Sequence, residues 1–258
     1  MTFLVLLVLF AQFEPNSMLN LSRIQEQLKL RDDLMQAILS NDTALAENLF
    51  KQNCDPNFQV NLSEPELKTL KAACPRMYFY YSNGSAFRPL HIAAGLGENT
   101  ICRLLIANGA KQYALSKGFD WVPAQYAAKS GYPELAQILL GLDPNDDCYR
   151  IEISLSNQRL TVLKKGLTCL TARISTGRHD KPTPPGKYLV TDKIKLERST
   201  LYKVPMPYFL RLSFSEVGIH YGANPGHPAS HGCIRVGSEE QARKIFDVCP
   251  IGTIVQIR

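Results

Sequence analysis

Two segments of the chain align at a shift of 34 residues, one beginning at Pro89 and the other at Pro123. They read PLHIAAGLGENTICRLLIANGA and PAQYAAKSGYPELAQILLGLDP, so a proline, two alanines, a glycine and an aliphatic pair recur in register. Each segment predicts a short helix, a glycine turn and a second helix. The small alanines allow a neighbouring unit to approach closely, and the aliphatic pair faces the core that the units share.

The opening RPLHIAA and the closing LLIANGA resemble the ankyrin repeat, whose pattern begins TPLHxAA and ends LLxxGA. A degenerate earlier copy spans Asp32 to Asn57, with an insertion near residues 58–85 before the next copy. The resemblance implies an α-helical stack of ankyrin-like repeats over residues 32–144, and three units are near the minimum for a stable stack. Such stacks usually provide a binding surface for a protein partner, although an attached catalytic domain can also use one as a spacer. We expect His91, at the repeat's own histidine position, to make a structural hydrogen bond between repeats.

The C-terminal half has a different pattern. The turn-rich sequence LDPNDD ends the helical periodicity. Apolar and polar residues then alternate as in strands, and one amphipathic helix with Ser238 as its N-cap follows near the end. We predict a multidomain α and β protein whose residues 148–258 form a mostly-β domain with one covering helix. The predicted strands are Tyr149–Leu155, Arg159–Leu163, Thr168–Ser175, Lys187–Asp192, Phe209–Phe214, Glu216–His220 and Thr253–Arg258, and the predicted helix is Ser238–Val248.

The stretch IHYGANPGHPASHGCIRV, from Ile219 to Val236, holds three of the five histidines together with a cysteine. It has no apolar periodicity and is therefore predicted to be a structured loop. A thiol is a poor nucleophile until it loses its proton, so a catalytic cysteine needs a base nearby. We expect Cys233 to be a nucleophile and His220 its base. A buried core thiol and a metal site are the alternatives, although the usual zinc-ligand spacings are absent.

From Tyr149 to Arg258 the chain resembles the catalytic domain of the L,D-transpeptidases, cysteine enzymes of bacterial peptidoglycan cross-linking. The matching pieces SNQRLTVLKKG, STGRHDKPTPPGKY, MPYFLRL, IHYG, SHGCIRV and EEQARKIFDVCPIGTIVQI come in the family's order. The resemblance implies a β-sandwich-like fold with one covering helix. It also implies that the reaction needs no metal and no organic cofactor.

The resemblance assigns roles to three residues of the loop. Cys233 attacks a peptide carbonyl, and His220 accepts the thiol proton and later returns it to the leaving amine. The backbone carbonyl of Tyr221 orients the imidazole ring. This position is often a small residue in the family, so Tyr221 departs from the pattern and is expected to narrow the cleft.

Four further residues around the nucleophile are expected to bind substrate or to shape the loop. Backbone N–H groups at Gly232 and Cys233 are expected to form an oxyanion hole, because glycine lets the chain approach the substrate closely. Ser230 and His231 are expected to shape this turn through hydrogen bonds. Arg235 either fixes the loop or binds a substrate carboxylate.

The substrate implied by the family is a peptidoglycan stem peptide, and the implied product is a cross-link between two stem peptides. The same acyl-enzyme resolved by water would make the protein an L,D-carboxypeptidase or endopeptidase. A third reading is a binding protein in which the ankyrin-like stack acts and the catalytic domain is degenerate, but the intact His220 and Cys233 argue against it.

The N-terminus opens with an unbroken apolar run, FLVLLVLFA. It is much shorter than the roughly 20 residues that span a bilayer, but it fits the hydrophobic region of a secretory signal. No Lys or Arg precedes it and no small-x-small cleavage site follows, so a buried helix is the alternative. We expect residues 1–17 to be an export signal or membrane anchor, and the protein to act in the periplasm or cell envelope.

The net charge and the cysteine content limit which partners and metal sites are expected. The net charge of +6 is scattered without a dense run, and no recognition motif accompanies it, so nucleic acid is not an expected partner. The seven cysteines are odd in number and form no CxxC pair, so they indicate neither a zinc module nor a compartment.

Overall fold

A computed structural model describes most of the 258-residue chain. The predicted export segment, residues 1–17, lies outside the described part except for its last three residues, which open the first helix. Within the described part, no helix is both long and apolar enough to cross a membrane. The described residues are 15–143, 149–199, 202–213 and 215–258, with side chains described from residue 22 onward.

The N-terminal half consists of helix–turn–helix units, which confirms the sequence prediction for the repeats. Three helix pairs stack side by side, and the insertion between the first two pairs folds into two short helices joined by a 3₁₀ turn. The helices are α1 (Pro15–Leu39), α2 (Thr43–Lys51), α3 (Glu64–Ala73), the 3₁₀ turn Pro75–Met77, α4 (Tyr78–Asn83), α5 (Pro89–Leu96), α6 (Asn99–Ala107), α7 (Pro123–Ser130) and α8 (Pro133–Leu139).

The repeated sequence features explain these units. Gly97 and Gly131 end α5 and α7 in the left-handed conformation, with φ of +82° and +98°, which a residue with a Cβ adopts only with strain. A Cβ on Gly97 would also lie 2.4 Å from the Tyr132 ring. The paired alanines are fully buried, so neighbouring helices can pack closely around the shared core.

His91 connects one repeat to the next, as predicted. Its Nδ1 accepts a hydrogen bond of 3.0 Å from the Arg88 N–H, so the ring proton sits on Nε2. That Nε2 lies 3.0 Å from the Ala114 carbonyl and 3.2 Å from the Trp121 carbonyl, both in the segment that leads into the following repeat. Burial lowers the pKa of His91 to about 4. The side chain is therefore a neutral structural bridge.

The C-terminal half is a closed eight-stranded barrel, so the expected β-sandwich-like arrangement is wrong. Strand β8 pairs with β1 in parallel and with β4 in antiparallel fashion, which leaves no free edge at which two sheets could separate. The barrel order is β1-β2-β3-β7-β6-β5-β4-β8. The strands are β1 (Arg150–Ser154), β2 (Arg159–Lys164), β3 (Leu167–Ser175), β4 (Gly186–Arg198), β5 (Pro205–Leu212), β6 (Gly218–Tyr221), β7 (Ile234–Val236) and β8 (Ile254–Ile257).

One helix, α9 (Glu239–Val248), lies against the barrel, in agreement with the prediction. Ser238 caps it, with its Oγ accepting from the Gln241 N–H at 3.3 Å. Its apolar face buries Ala242 and Ile245 in the same core as the inward-facing strand residues.

The helical stack and the barrel pack directly against each other. Lys187 at the start of β4 forms an ion pair of 2.8 Å with Glu134 on α8. Gln137 on α8 donates to the Gly252 carbonyl at 2.8 Å. Leu189 and Ile254 of the barrel join the apolar core of the stack. The two halves therefore share buried surface in addition to polar contacts.

Glu98 is an acidic side chain placed inside the stack, at the turn between α5 and α6. Its Oε2 is buried and has no hydrogen-bond partner among the described residues. Burial raises the pKa of the carboxyl group to about 8. The folded protein therefore holds Glu98 protonated at neutral pH. The same carboxyl group ionises in the unfolded chain, and this ionisation lowers the free energy of unfolding.

Replacing Glu98 with Gln should raise the Tm at pH 8 more than at pH 5. Below about 4.5 the carboxyl is neutral in both states, whereas between 4.5 and 8 only the unfolded chain ionises, so wild-type stability falls as pH rises. Above 8 the penalty is constant. Because the side chain is only part-buried, solvent screens the effect, and we expect a gain of about 2–4 °C at pH 8, or about 1 kcal/mol.

Calorimetry or circular dichroism melts at pH 5 and pH 8 measure this effect. Glu47→Gln, on the exposed surface of α2, is the matched control. Equal gains in the two variants at pH 8 would contradict the account of Glu98.

Candidate active site

The parallel pairing of β6 and β7 brings the predicted nucleophile and the predicted base to one cleft. Ile219 lies opposite Ile234 and His220 opposite Arg235 in the register. The two isoleucines are buried in the barrel core, so the alternation of side chains puts His220 and Arg235 on the outer face. Cys233 precedes Arg235 by two residues and faces the same side.

These side chains line one cleft of about 440 Å³. Its second wall is the β4–β5 hairpin, which contributes Glu197, Tyr202 and Arg211. Every predicted site residue except Gly232 lines the cleft. They are His220, Tyr221, Ser230, His231, Cys233 and Arg235.

The imidazole of His220 is oriented by a backbone carbonyl. Its Nδ1 lies 2.7 Å from the Tyr221 oxygen, and because a carbonyl only accepts, Nδ1 carries the proton of the neutral ring. Nε2 then has a free lone pair and can accept a proton. Burial lowers the pKa of His220, and the positive charge of Arg235 lowers it further, against the opposing effect of the Tyr221 hydrogen bond.

The thiol of Cys233 is protonated in the resting protein. Burial raises its pKa, and this outweighs the Gly218 hydrogen bond and the charges of Arg235 and Arg211, which lower it. The Sγ lies 3.6 Å from the Glu216 carbonyl, to which the S–H donates. The cleft therefore holds a neutral thiol and a neutral imidazole in the resting protein, so a nucleophilic role for the sulfur would require proton transfer during attack.

The turn before Cys233, the predicted nucleophile, is fixed by two buried hydroxyl groups. The Ser230 Oγ accepts from the Gly232 N–H at 3.1 Å and donates to the Cys233 carbonyl at 2.6 Å. Thr183 donates to the Gly232 carbonyl at 2.7 Å and accepts from the Gly177 N–H at 2.8 Å. Gly232 adopts a φ of +119°, which favours glycine.

This turn corrects the expectation for Gly232. Its N–H is occupied by Ser230 at 3.1 Å, so it is not a free oxyanion donor in the resting protein. Thr183 is a site residue that the sequence interpretation missed. The signal was the TPPG part of the STGRHDKPTPPGKY segment, in which Thr183 occupies the threonine position.

The two remaining predicted residues differ in their surroundings. His231 is exposed, and its ring packs on Tyr202 with centroids 4.3 Å apart. Arg235 forms no ion pair with any residue that the structure describes. Arg211 contrasts with it, since its guanidinium is held by Glu197 at 2.8 Å and Asp192 at 3.4 Å.

The other histidines of the C-terminal half do not line the cleft. His227 contributes a backbone carbonyl, which accepts from the Ser175 Oγ at 2.7 Å. Across the described residues, no group of three or more His, Cys, Asp or Glu side chains is arranged to hold a metal ion.

Comparison with known protein families identifies the two halves. The family model of the L,D-transpeptidase catalytic domain matches residues 149–257. This part of the chain is an L,D-transpeptidase catalytic domain. A model of three ankyrin repeats matches residues 34–148, so an ankyrin-repeat domain precedes the transpeptidase domain.

Individual relatives are distant. A Bacillus licheniformis protein, YkuD, named as an L,D-transpeptidase, is 28% identical over 124 residues, which are 45% of this chain and 68% of that protein. L,D-transpeptidase 1 of Mycobacterium tuberculosis is 26% identical over 171 residues, 58% of this chain and 66% of that protein. A solved L,D-transpeptidase of Mycobacterium smegmatis is 20% identical over 43% of this chain and 58% of that chain, with a TM-score of 0.41. The chain thus spans about two thirds of these relatives and less of the solved structure.

Alkylation of Cys233 in the resting transpeptidase domain should show an inflection above the usual thiol pKa of 9.0, because burial holds the thiol protonated. Iodoacetamide labelling from pH 5 to pH 11, followed residue by residue with peptide mass spectrometry, measures this. The exposed Cys169 serves as the internal control. An inflection below pH 7 at Cys233 would show a preformed thiolate–imidazolium pair and contradict the neutral resting state.

Proposed function

We propose that the protein is a cysteine-dependent peptidoglycan L,D-transpeptidase in which Cys233 is the nucleophile and His220 the general base. The observation that carries the proposal is the 2.7 Å contact between the His220 Nδ1 and the Tyr221 carbonyl. It fixes the ring tautomer, so Nε2 can take the thiol proton in the cleft that both side chains line.

The reaction proceeds through a thioester. The Cys233 sulfur attacks the carbonyl carbon at the L-centre of the third stem residue while its proton passes to His220 Nε2. The C–N bond to the terminal D-Ala then breaks, and His220 protonates the leaving amine. An amine of a second stem peptide attacks the thioester, His220 takes its proton, and the Cys233 thiol is restored as the new amide forms.

The electrostatics of the cleft suit this order of events. Burial favours the neutral forms of both Cys233 and His220, so charge separates only as the sulfur attacks. The guanidinium of Arg235 lies in the same cleft and forms no ion pair with the residues that the structure describes. We assign it to a carboxylate of the bound stem peptide, because an arginine fork binds a carboxylate through two parallel hydrogen bonds.

Water in place of the second amine would give an L,D-carboxypeptidase or endopeptidase with the same Cys233 thioester. We place the protein outside the cytoplasmic membrane, in the periplasm or cell envelope, because its proposed substrate lies there. We assign the binding of a protein partner to the ankyrin-repeat domain, which is the usual role of such stacks.

Incubation of the purified protein with tetrapeptide-bearing muropeptides tests this proposal, with products read by mass spectrometry. We expect a cross-linked dimer with loss of D-Ala, whereas a shortened tripeptide alone would indicate hydrolysis. Cys233→Ala should abolish both products, and His220→Gln should lower kcat by about 10²–10⁴-fold, the usual contribution of a general base.

Cys169→Ala, at an exposed cysteine of β3, is the matched control and should retain full activity. Undiminished turnover by Cys233→Ala would overturn the assignment of the nucleophile. Absence of both products with the folded wild-type protein would overturn the proposed activity.

A further inference from the structure

Three arginines lie on the outer face of the barrel, on neighbouring strands. Arg235 on β7 lies opposite Ser175 on β3. Arg173 precedes Ser175 by two residues and so faces the same side, since Ile174 between them is buried in the core. Arg159 on β2 lies directly opposite Arg173. The row therefore begins in the catalytic cleft and continues away from it across β3 to β2.

Arg159 and Arg173 line a second pocket of about 470 Å³. Like charges directly opposite each other in an antiparallel pair destabilise the sheet. Neither guanidinium has a carboxylate partner within the described parts of the chain. An oxyanion seated between the two guanidinium groups would remove this repulsion and supply both with hydrogen bonds.

Two further side chains of the pocket, Asn224 and Ser238, have donors available. The Asn224 Oδ1 accepts from the Gly226 N–H at 2.9 Å, which leaves the amide nitrogen as a donor. The Ser238 Oγ accepts from the Gln241 N–H at 3.3 Å, which leaves its hydroxyl proton as a donor. Gly237 lets Asn224 sit close to the sheet, because a Cβ there would lie 2.8 Å from the Asn224 Cβ. The pocket thus presents two positive charges and two neutral donors, together with the Gln241 Oε1, which is an acceptor because Nε2 donates to the Thr171 carbonyl.

The second pocket adjoins the catalytic cleft. The short segment Gly222–Asn224 separates the two, with Gly222 lining the cleft and Asn224 lining the pocket. Gly237, which also lines the pocket, follows Cys233 by four residues, a separation of about 13 Å along an extended chain. An extended peptide of four residues spans that distance, at about 3.3–3.6 Å per residue. A peptide that reacts at Cys233 can therefore place a carboxylate in the second pocket.

We propose that the Arg159–Arg173 pocket is a carboxylate subsite for an acidic peptide substrate, outside the catalytic cleft. The subsite rests on the proposed function, since its ligand is the peptide that reacts at Cys233. An isolated oxyanion such as inorganic phosphate could form the same ion pairs with the two arginines, but it is not covalently linked to the group that reacts at Cys233. The Gly222–Asn224 segment is the wall over which the peptide passes from one site to the other.

Equilibrium binding to Cys233→Ala protein tests the subsite without turnover. The probe is a tetrapeptide-bearing muropeptide, and its counterpart has the free carboxylates converted to amides. Adding Arg159→Gln and Arg173→Gln should weaken binding of the acidic muropeptide by about three- to tenfold at low salt, as expected for partly exposed ion pairs. Binding of the amidated counterpart should not change, and the difference should shrink as salt is raised.

The matched control replaces two cations of α9, Arg243→Gln with Lys244→Gln, which lowers the net charge equally but leaves the pocket intact. It should bind the acidic muropeptide as tightly as the parent. The Tm of the Arg159→Gln/Arg173→Gln variant should equal or exceed that of the parent, because the facing charges are gone. A lower Tm would show that the two arginines stabilise the sheet, and it would overturn the argument from repulsion.

Two results would overturn the subsite. One is unchanged affinity of the double variant for the acidic muropeptide. The other is that inorganic phosphate binds at the pocket while the Arg159→Gln/Arg173→Gln substitutions leave muropeptide binding unchanged. If either occurs while wild-type protein turns the muropeptide over, the proposed activity stands without the subsite. If arginine-dependent binding holds while wild-type protein forms no product, the proposed activity fails and the subsite stands.

Discussion

The parallel pairing of β6 with β7 is the constraint on which the site depends. It brings together two strands that are separated by a twelve-residue loop from Gly222 to Cys233 and fixes their register, with His220 opposite Arg235. Because the isoleucines of both strands are buried in the barrel core, a shift of one residue would turn the functional side chains inward. The apolar core and the geometry of the proposed active site are therefore specified by the same pairing.

Burial gives the cleft its chemical character. It favours the neutral thiol and the neutral imidazole, while the Tyr221 carbonyl selects the tautomer in which Nε2 is free. The turn that carries Cys233 is held by Ser230 and Thr183, whose hydroxyl groups occupy the Gly232 N–H and carbonyl. These buried hydrogen bonds position the proposed nucleophile, and the neutral resting forms mean that its activation would occur only during attack.

Local patterns in the sequence were sufficient for some elements and insufficient for others. The first hairpin and α9 were predictable because alternation and an N-cap serine are short-range signals. His91 was predictable because it belongs to a repeated unit. Strand β7 was missed, since three residues carry too little alternation to mark a strand.

Contacts between residues far apart in the sequence account for the features of the fold and site that were not predicted. Closure of the barrel depends on β8 meeting β1, more than 90 residues earlier in the chain, and no local pattern encodes that contact. The hydrogen bond from Thr183 to Gly232 joins residues 49 positions apart. The role of Thr183 could therefore not be predicted, even though its segment was recognised. The facing pair Arg159 and Arg173 likewise emerges only once the register of β2 and β3 is known. Cys233 and His220 could be chosen as candidates because the loop sequence itself contains them.

The proposed mechanism requires that the Cys233 sulfur becomes acylated by a stem peptide with loss of the terminal residue. Intact-protein mass spectrometry of the enzyme quenched with acid soon after mixing with a tetrapeptide muropeptide measures this directly. The account predicts an added mass equal to the muropeptide minus D-Ala, mapped by proteolysis to the peptide that contains Cys233. An adduct on another residue, or substrate turnover with no adduct on Cys233 at any quench time, would contradict it.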